Sequence, residues 1–425
     1  MASIVINNKI LFPILLKNIA WKIVIVFLIF LPFQQLLSQW LKVNKILWID
    51  EFAVALSIIF FLTILFHLGK INKDGAKILL CLLILGFVGI ISGLINDNAL
   101  LITINGIFDY LKNFLVIPIF SLLSIQRKNI DRIYFTLSCL ALFLCLVAIG
   151  QEIAFFAGLP LQKAFVFYRE YRFGFLRTPS LMGHPNVFGL YAVLFFILDL
   201  SIHRRMRWQN LILMIGVFLS LSRMVWAAFL AGLFLLLVQS KSRKMVGLFA
   251  LAALVIAVAI PLFYVHTSAE IGSENYFRGY TFSKSMEIWG DHPVLGVGPG
   301  MYGGVISFAF NSPVYNRYNF SKRWLEFSSS IHSLDQFWGQ ILAEMGVFGV
   351  MIFLVLLYLM WKIPRKASLF KDDLFHKRIL SGFSVVSVSL FVFLFGSSLN
   401  LTPFLLTYSS LFGFYLGAKD ENPTD

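Results

Sequence analysis

The chain has 425 residues, 59% of them hydrophobic and only 13% charged, with a formal net charge of +14 and a mean hydropathy of +0.83. A soluble domain carries about 25% charged residues, so this composition excludes one, and the apolar blocks recurring from about residue 21 to 417 make the chain a polytopic membrane protein. The positive balance does not point to nucleic acid, because Lys and Arg sit mostly in short loops between apolar blocks, where they orient a membrane protein. Cys81, Cys139 and Cys145 lie inside apolar blocks at no metal-ligand spacing and read as small core hydrophobes.

A bilayer core takes roughly 20 helical residues. On that rule the predicted spans, in chain order, are 20–38, 52–68, 78–95, 104–124, 133–154, 185–202, 208–221, 223–239, 245–263, 338–361, 379–398 and 402–418. The first block is longer than a signal core of about 7–15 residues and no A-x-A-like site follows it, so it reads as a retained span.

The stretch WQNLILMIGVFLSLSRMVWAAFLAGLFLLLVQS, residues 208–240, holds a single charge, Arg223. One helix of that length would run roughly 50 Å, too long for one crossing. Basic clusters flank it on both sides, HRRMRW before and SKSRK after. A two-span hairpin puts both clusters in the cytoplasm, as the positive-inside tendency requires. The same parity makes GKINKDGAK, QRKNIDR, HRRMRWQ, KSRK and WKIPRKASLFKDDLFHKR interior loops, each net basic. The expected architecture is an all-α polytopic membrane protein of about 12 transmembrane helices. It forms a single integral membrane domain, 1–425, with both termini cytoplasmic and two substantial extracytoplasmic loops, 155–184 and 264–332.

Arginines on the outer side need a local reason. They are Arg169, Arg172, Arg177, Arg223, Arg278, Arg317 and Arg323. Arg223, in SLSRMVW, is either a side chain snorkelling at a span end or part of an anion site, since the guanidinium fork donates paired hydrogen bonds to phosphate and stays charged. In FRGYTFSKSMEIWGDHPVLGVGPGMYGG, residues 277–304, Arg278 and Lys284 precede the apolar positions Met286, Ile288 and Trp289, the pattern of a short amphipathic helix. Gly296, Gly298 and Gly300 alternate after it and permit tight turns and close backbone approach. A nucleotide-binding reading fails there, because the GxGxxG spacing and its strand-turn-helix context are missing.

In SSIHSLDQFWGQILAEMGVFGV, Ser333 and Gln336 have capping-box spacing, His332 stands just before them as a candidate general base, and Glu344 follows, expected to pair with an outer arginine. In RTPSLMGHPNVFGLYAV, Pro185 and Asn186 open a helix, leaving Arg177 and His184 as candidate ligands. No DxD-like acidic pair lies on the outer side to hold a metal–diphosphate complex. An anion bound there would be neutralised by arginine, and no metal or cofactor is expected.

Taken together these residues resemble the O-antigen ligase/polymerase family of bacterial envelope glycan assembly. SLSRMVW resembles its Ser-Arg signature at an outward-facing hairpin. Arg278, Trp289 and HPVLGVGPGMY resemble its Arg, Trp and Pro-x-x-Gly-x-Gly loop, and IHSLDQFWGQILAEMGVFGV resembles its His at the head of a helix ending Glu-x-Gly-x-x-Gly. Met224 departs from the small residue often found after the Ser-Arg pair. The resemblance spans roughly residues 170–350.

It implies a GT-C-like transferase in the bacterial cytoplasmic membrane, working on its outer face without a metal. The donor would be a glycan on a polyprenyl diphosphate, and the acceptor a glycan or lipid A core. Arg223, Arg278 and His332 would be the catalytic set, the two arginines on the diphosphate and His332 on the acceptor hydroxyl, with Arg177 a third phosphate contact. Arg172, His184, Lys284 and Glu344 complete the candidate substrate contacts. Membrane lipids are the other expected partners. Competing readings are a lipid-linked glycan flippase, a non-catalytic membrane scaffold, and a protein O-glycan transferase of the same family. A transporter would favour charges along a mid-membrane path and paired broken helices, whereas these candidates cluster on one side.

Overall fold

The computed structural model describes residues 22–42, 49–68, 72–123, 125–159, 171–172, 174–240, 277–320, 336–369, 373–396, 398–399 and 401–418. The helices, in chain order, are α1 (Lys22–Leu41), α2 (Ile49–Leu68), α3 (Lys73–Ile95), α4 (Leu100–Ser121), α5 (Arg127–Phe156), α6 (Pro185–His203), α7 (Trp208–Leu219) and α8 (Arg223–Ser240). They continue with α9 (Phe277–Asp291), α10 (Val305–Ala309), α11 (Pro313–Arg317), α12 (Phe337–Leu369), α13 (Leu374–Phe393) and α14 (Thr402–Gly417). Among the described residues, seven helices (α1, α3, α4, α5, α6, α12 and α13) are long and apolar enough to cross a membrane, and α7 and α8 are shorter apolar helices. Every expected span that falls on described residues lies on a helix, whereas the expected span 245–263 lies outside them. One small departure from all-α is a two-stranded antiparallel ribbon, β1 (Tyr171–Arg172) with β2 (Phe175–Leu176), turned at Gly174.

Apolar sequence makes these segments helical because a chain in lipid must satisfy its own backbone groups. The ends are set by caps. Asn72 accepts from the Asp74 amide (3.2 Å) at the head of α3, and Asp373 accepts from the His376 amide (2.6 Å) at the head of α13. Pro185 and Pro403 occupy first-turn positions of α6 and α14, where a missing N–H costs nothing.

The bundle is built around α6, whose apolar window is wholly buried, and α7, α8, α13, α14 and α5 pack around it. Peripheral helices instead turn large apolar side chains outward. Leu80, Leu83, Phe87 and Leu94 on α3 and Phe135, Leu146 and Ile153 on α5 are exposed, the spacing of a helix face in contact with lipid.

Polar contacts sort the connections into two ends. At one end Arg127 pairs with Asp373, Tyr415 donates to Asp131 (2.9 Å), Asn72 donates to the Leu416 carbonyl (3.2 Å) and Arg378 to that of Ile202 (2.8 Å). These are the net-basic connections of the sequence. At the other end the turn after α3 holds the glycine-rich loop after α9, and the α7–α8 turn meets the segment before α6.

Candidate functional site

The first cluster forms at the α7–α8 turn. Residues 208–240 break into two helices at Ser220–Ser222, with Leu221 in the left-handed region (φ 44°). The Trp226 indole, one turn into α8, donates to the Val217 carbonyl (3.1 Å) and ties the two helices together. The carbonyls at the end of α7 have no helical partners, and the segment before α6 supplies them in register. Thr178 donates through its amide (3.2 Å) and hydroxyl (2.9 Å) to Leu219 O. Arg177 Nε donates to Ser220 O (3.3 Å) and Arg172 Nη1 to Leu221 O (2.9 Å).

Cations at a helix C-terminus also meet its negative dipole end. Arg177 is buried and donates its other arm to Asn186 Oδ1 (2.7 Å). The Leu176 amide donates to Glu152 Oε1 (3.1 Å), anchoring the segment to α5. Arg223 begins α8 and is exposed. Three of the expected arginines, Arg172, Arg177 and Arg223, thus meet at one turn. His184 caps α6, its Nδ1 accepting from the Asn186 amide (3.2 Å).

The second cluster forms where α12 breaks. Gly346 has φ 61° and ψ −160° in the middle of that helix. The backbone groups freed by the break pair with the loop after α9. Val297 and Gly298 amides donate to the carbonyls of Ala343 (2.9 Å) and Glu344 (2.8 Å), while Val347 and Phe348 amides donate to Pro293 (3.0 Å) and Val294 (3.4 Å). The two glycine motifs of the sequence are therefore one structural unit. A Cβ on Gly296 would stand 2.3 Å from the Glu344 carbonyl carbon, and one on Gly346 2.4 Å from that of Val294. Asn96 and Asn98, after α3, donate to the loop carbonyls of Gly296 (3.0 Å) and Val297 (2.7 Å). The Trp289 indole donates to Pro293 O (3.1 Å), closing the turn out of α9.

Glu344 needs a correction. Expected to pair with an outer arginine, it is fully buried (0%). Its carboxylate accepts from Tyr110 Oη (2.7 Å), the Tyr302 amide (2.7 Å) and Gln340 Nε2 (3.4 Å). Both oxygens are engaged in holding the loop to α4 and α12, as buried polar groups must be. Lys284, on α9, donates to Glu287 (2.8 Å) and to the Tyr318 carbonyl (2.8 Å), fastening α9 to the segment beyond α11. Tyr318 in turn donates to Asp291 (3.0 Å), and burial with that carboxylate nearby pushes its phenol up to about 12. Arg278 is the second residue of α9, and its side chain lies outside what the structure describes. His332 and Ser333, with the expected capping box, also lie outside the described residues, and α12 begins directly after Gln336.

Sequence reading missed a charged group deeper in the bundle. Lys112 on α4 is nearly buried and lies 3.3 Å from Asp109, 3.2 Å from Glu51 and 3.7 Å from Asp50. The signal was present: DYLK puts a charged pair at i, i+3 inside the expected span 104–124, and an intramembrane ionisable group is a functional candidate by default. Asp109 and Tyr110 line a cleft with Gly304, Val305, Gln340 and Ser398.

The apolar helices, seven of them among the described residues long and apolar enough to cross a membrane, define an integral membrane protein. Residues 208–354, covering α7, α8, α9 and the first half of α12, match the family model described as O-Antigen ligase. Over these residues the chain is similar to the O-antigen ligase family. No curated protein matches the chain. Arg223, Arg278, Lys284, His332 and Glu344 fall within the matched region, and Arg172, Arg177 and His184 precede it.

Proposed function

We propose that the protein transfers a glycan from a polyprenyl-diphosphate donor to an acceptor sugar hydroxyl at the outer face of the cytoplasmic membrane. The observation that carries this reading is the gathering of Arg172, Arg177 and Arg223 at one turn, which lies inside the matched residues 208–354. Arg223 is exposed beside two arginines already fixed to the turn, and an anion there meets both the guanidinium and the positive end of α8.

The acceptor oxygen attacks the anomeric carbon as the bond to the diphosphate breaks. His332 takes the hydroxyl proton, the lipid diphosphate leaves with the electron pair, and the anomeric centre inverts. Negative charge develops on the leaving oxygen, so cations preorganised at that point stabilise the transition state more than the ground state. Arg223 and Arg278 fill that role. The net-basic connections at the opposite end support a reading in which both termini are cytoplasmic.

The test is reconstitution of the purified protein in nanodiscs with polyprenyl-diphosphate-linked repeat units and no other acceptor, beside Arg223→Ala and His332→Ala. A ladder of lengthening glycans, lost in both variants, supports the reading and makes the protein a polymerase. No ladder until lipid A core is added makes it a ligase. No product with either acceptor, or full product from both variants, overturns the reading.

A further inference from the structure

The cleft between α4, α12 and the loop before α10 differs in sign from the arginine turn. Asp109 stands nine residues into α4, about 14 Å from its first residue, with its side chain 39% exposed. Lys112 holds it from behind at 3.3 Å, and this one cation, 11% exposed, is shared with Asp50 and Glu51. Among the described residues, Asp109 is the charged residue lining the cleft, and three carboxylates share the Lys112 ammonium behind it.

Its other polar walls are acceptors too. Tyr110 donates its hydrogen to Glu344, and the Gln340 amide nitrogen turns to the same carboxylate, so neither offers that hydrogen to the cleft. A diphosphate entering such a cleft meets like charge, and an apolar lipid tail leaves these groups desolvated. A sugar suits it, since every hydroxyl brings a donor and a carboxylate accepts two at once. Gln340 lies in the first turn of α12, the helix that follows His332 in the sequence.

We propose that this cleft is the subsite for the acceptor glycan, with Asp109 accepting hydrogen bonds from hydroxyls that do not react. Opposite charge then sorts the two substrates: phosphates go to the arginine turn, and neutral polyol goes to the Asp109 cleft. The assignment rests on the transferase reading above.

The test measures binding, so it stands apart from turnover. Repeat-unit oligosaccharide, freed of its lipid diphosphate by mild acid, is titrated into the full-length protein in nanodiscs. Saturation-transfer difference NMR reports the sugar, and bare polyprenyl diphosphate serves as the second probe. Wild type binds the oligosaccharide, and Asp109→Asn, equal in size, weakens it tenfold or more. Val305→Trp abolishes it by filling the cleft from an exposed rim position. Both variants bind the polyprenyl diphosphate as wild type does, which shows that they are folded.

Unchanged oligosaccharide affinity in the two variants overturns the subsite, as does failure of wild type to bind the oligosaccharide, or loss of that binding in Arg223→Ala alone. If wild type builds glycan in the reconstitution while the cleft variants bind sugar normally, the subsite falls and the transferase reading stands. If wild type transfers nothing, the transferase reading falls whatever the sugar does.

Discussion

The α7–α8 turn and the break in α12 solve one problem by opposite means. Each interrupts a helix and strands backbone groups that must be paired. At the turn, side chains do the pairing: Thr178, Arg177 and Arg172 donate to three successive carbonyls, 219 to 221. At the break, backbone does it, with loop residues 293–298 exchanging hydrogen bonds with both sides of Gly346. The first solution leaves charged groups in place, and a ligand can use them. The second brings main chain against main chain and excludes side chains, so its value is rigidity. Arginine content at the turn is thus ambiguous between scaffold and chemistry, whereas glycine content at the break is scaffold.

The sharpest way to break that contrast is Gly346→Ala. The added Cβ lies 2.4 Å from main-chain atoms of Val294 at a positive φ, so neither a rotamer change nor a small side-chain shift relieves it. The expected cost is about 4 kcal/mol or more, read as loss of monodisperse protein in detergent and of a cooperative thermal transition. Gly150→Ala on α5 is the control. Nothing stands within 4 Å of that Cβ, and an alanine there is neutral or stabilises by up to about 1 kcal/mol. Equal behaviour of the two variants would sink the close-packed reading of the break.

Much of the fold was legible in the sequence because its signals are local. The split of residues 208–240 followed from basic clusters on both flanks, and the start of α6 from Pro185 and Asn186. The α9 helix followed from apolar spacing around Met286, Ile288 and Trp289. What stayed hidden is long-range. Glu344 reads as an outer acid until its partner Tyr110, 234 positions away, is in place. The exchange of hydrogen bonds between the loop after α9 and α12 joins two glycine motifs whose sequence shows only that each turns tightly. The pairing of Arg172 and Arg177 with carbonyls is invisible because carbonyls carry no residue identity. Asp109 and Lys112 read in sequence as a near-neutral pair, and only the fold brings Asp50 and Glu51 beside Lys112.

Arg177→Ala comes next in size. It leaves Ser220 O and Asn186 Oδ1 without their buried donor, and an unsatisfied buried group costs about 1–3 kcal/mol. Arg177→Lys is expected to rescue little, because one ammonium cannot reach both acceptors with the geometry of a planar fork. Thermal unfolding in nanodiscs reads both. Full rescue by lysine would mean that charge, and not the paired geometry, matters at that position.

The smallest effect separates the two uses of arginine at the turn. Arg172 donates a charge-assisted hydrogen bond to Leu221 O from a half-buried position, and loss of that bond in Arg172→Ala is expected to cost about 1 kcal/mol. Arg172→Gln keeps an N–H donor in reach of the same carbonyl and removes the charge. If Arg172 is only a cap, glutamine restores both the melting temperature and glycan transfer. If Arg172 also faces the donor's phosphates, glutamine restores the melting temperature and leaves transfer depressed, with donor KM raised, because a neutral amide replaces the cap but not the cation. The proposed function predicts the second pattern. A glutamine variant that recovers both readouts would confine the phosphate contact to Arg223 and Arg278, and would make Arg172 a helix-end residue.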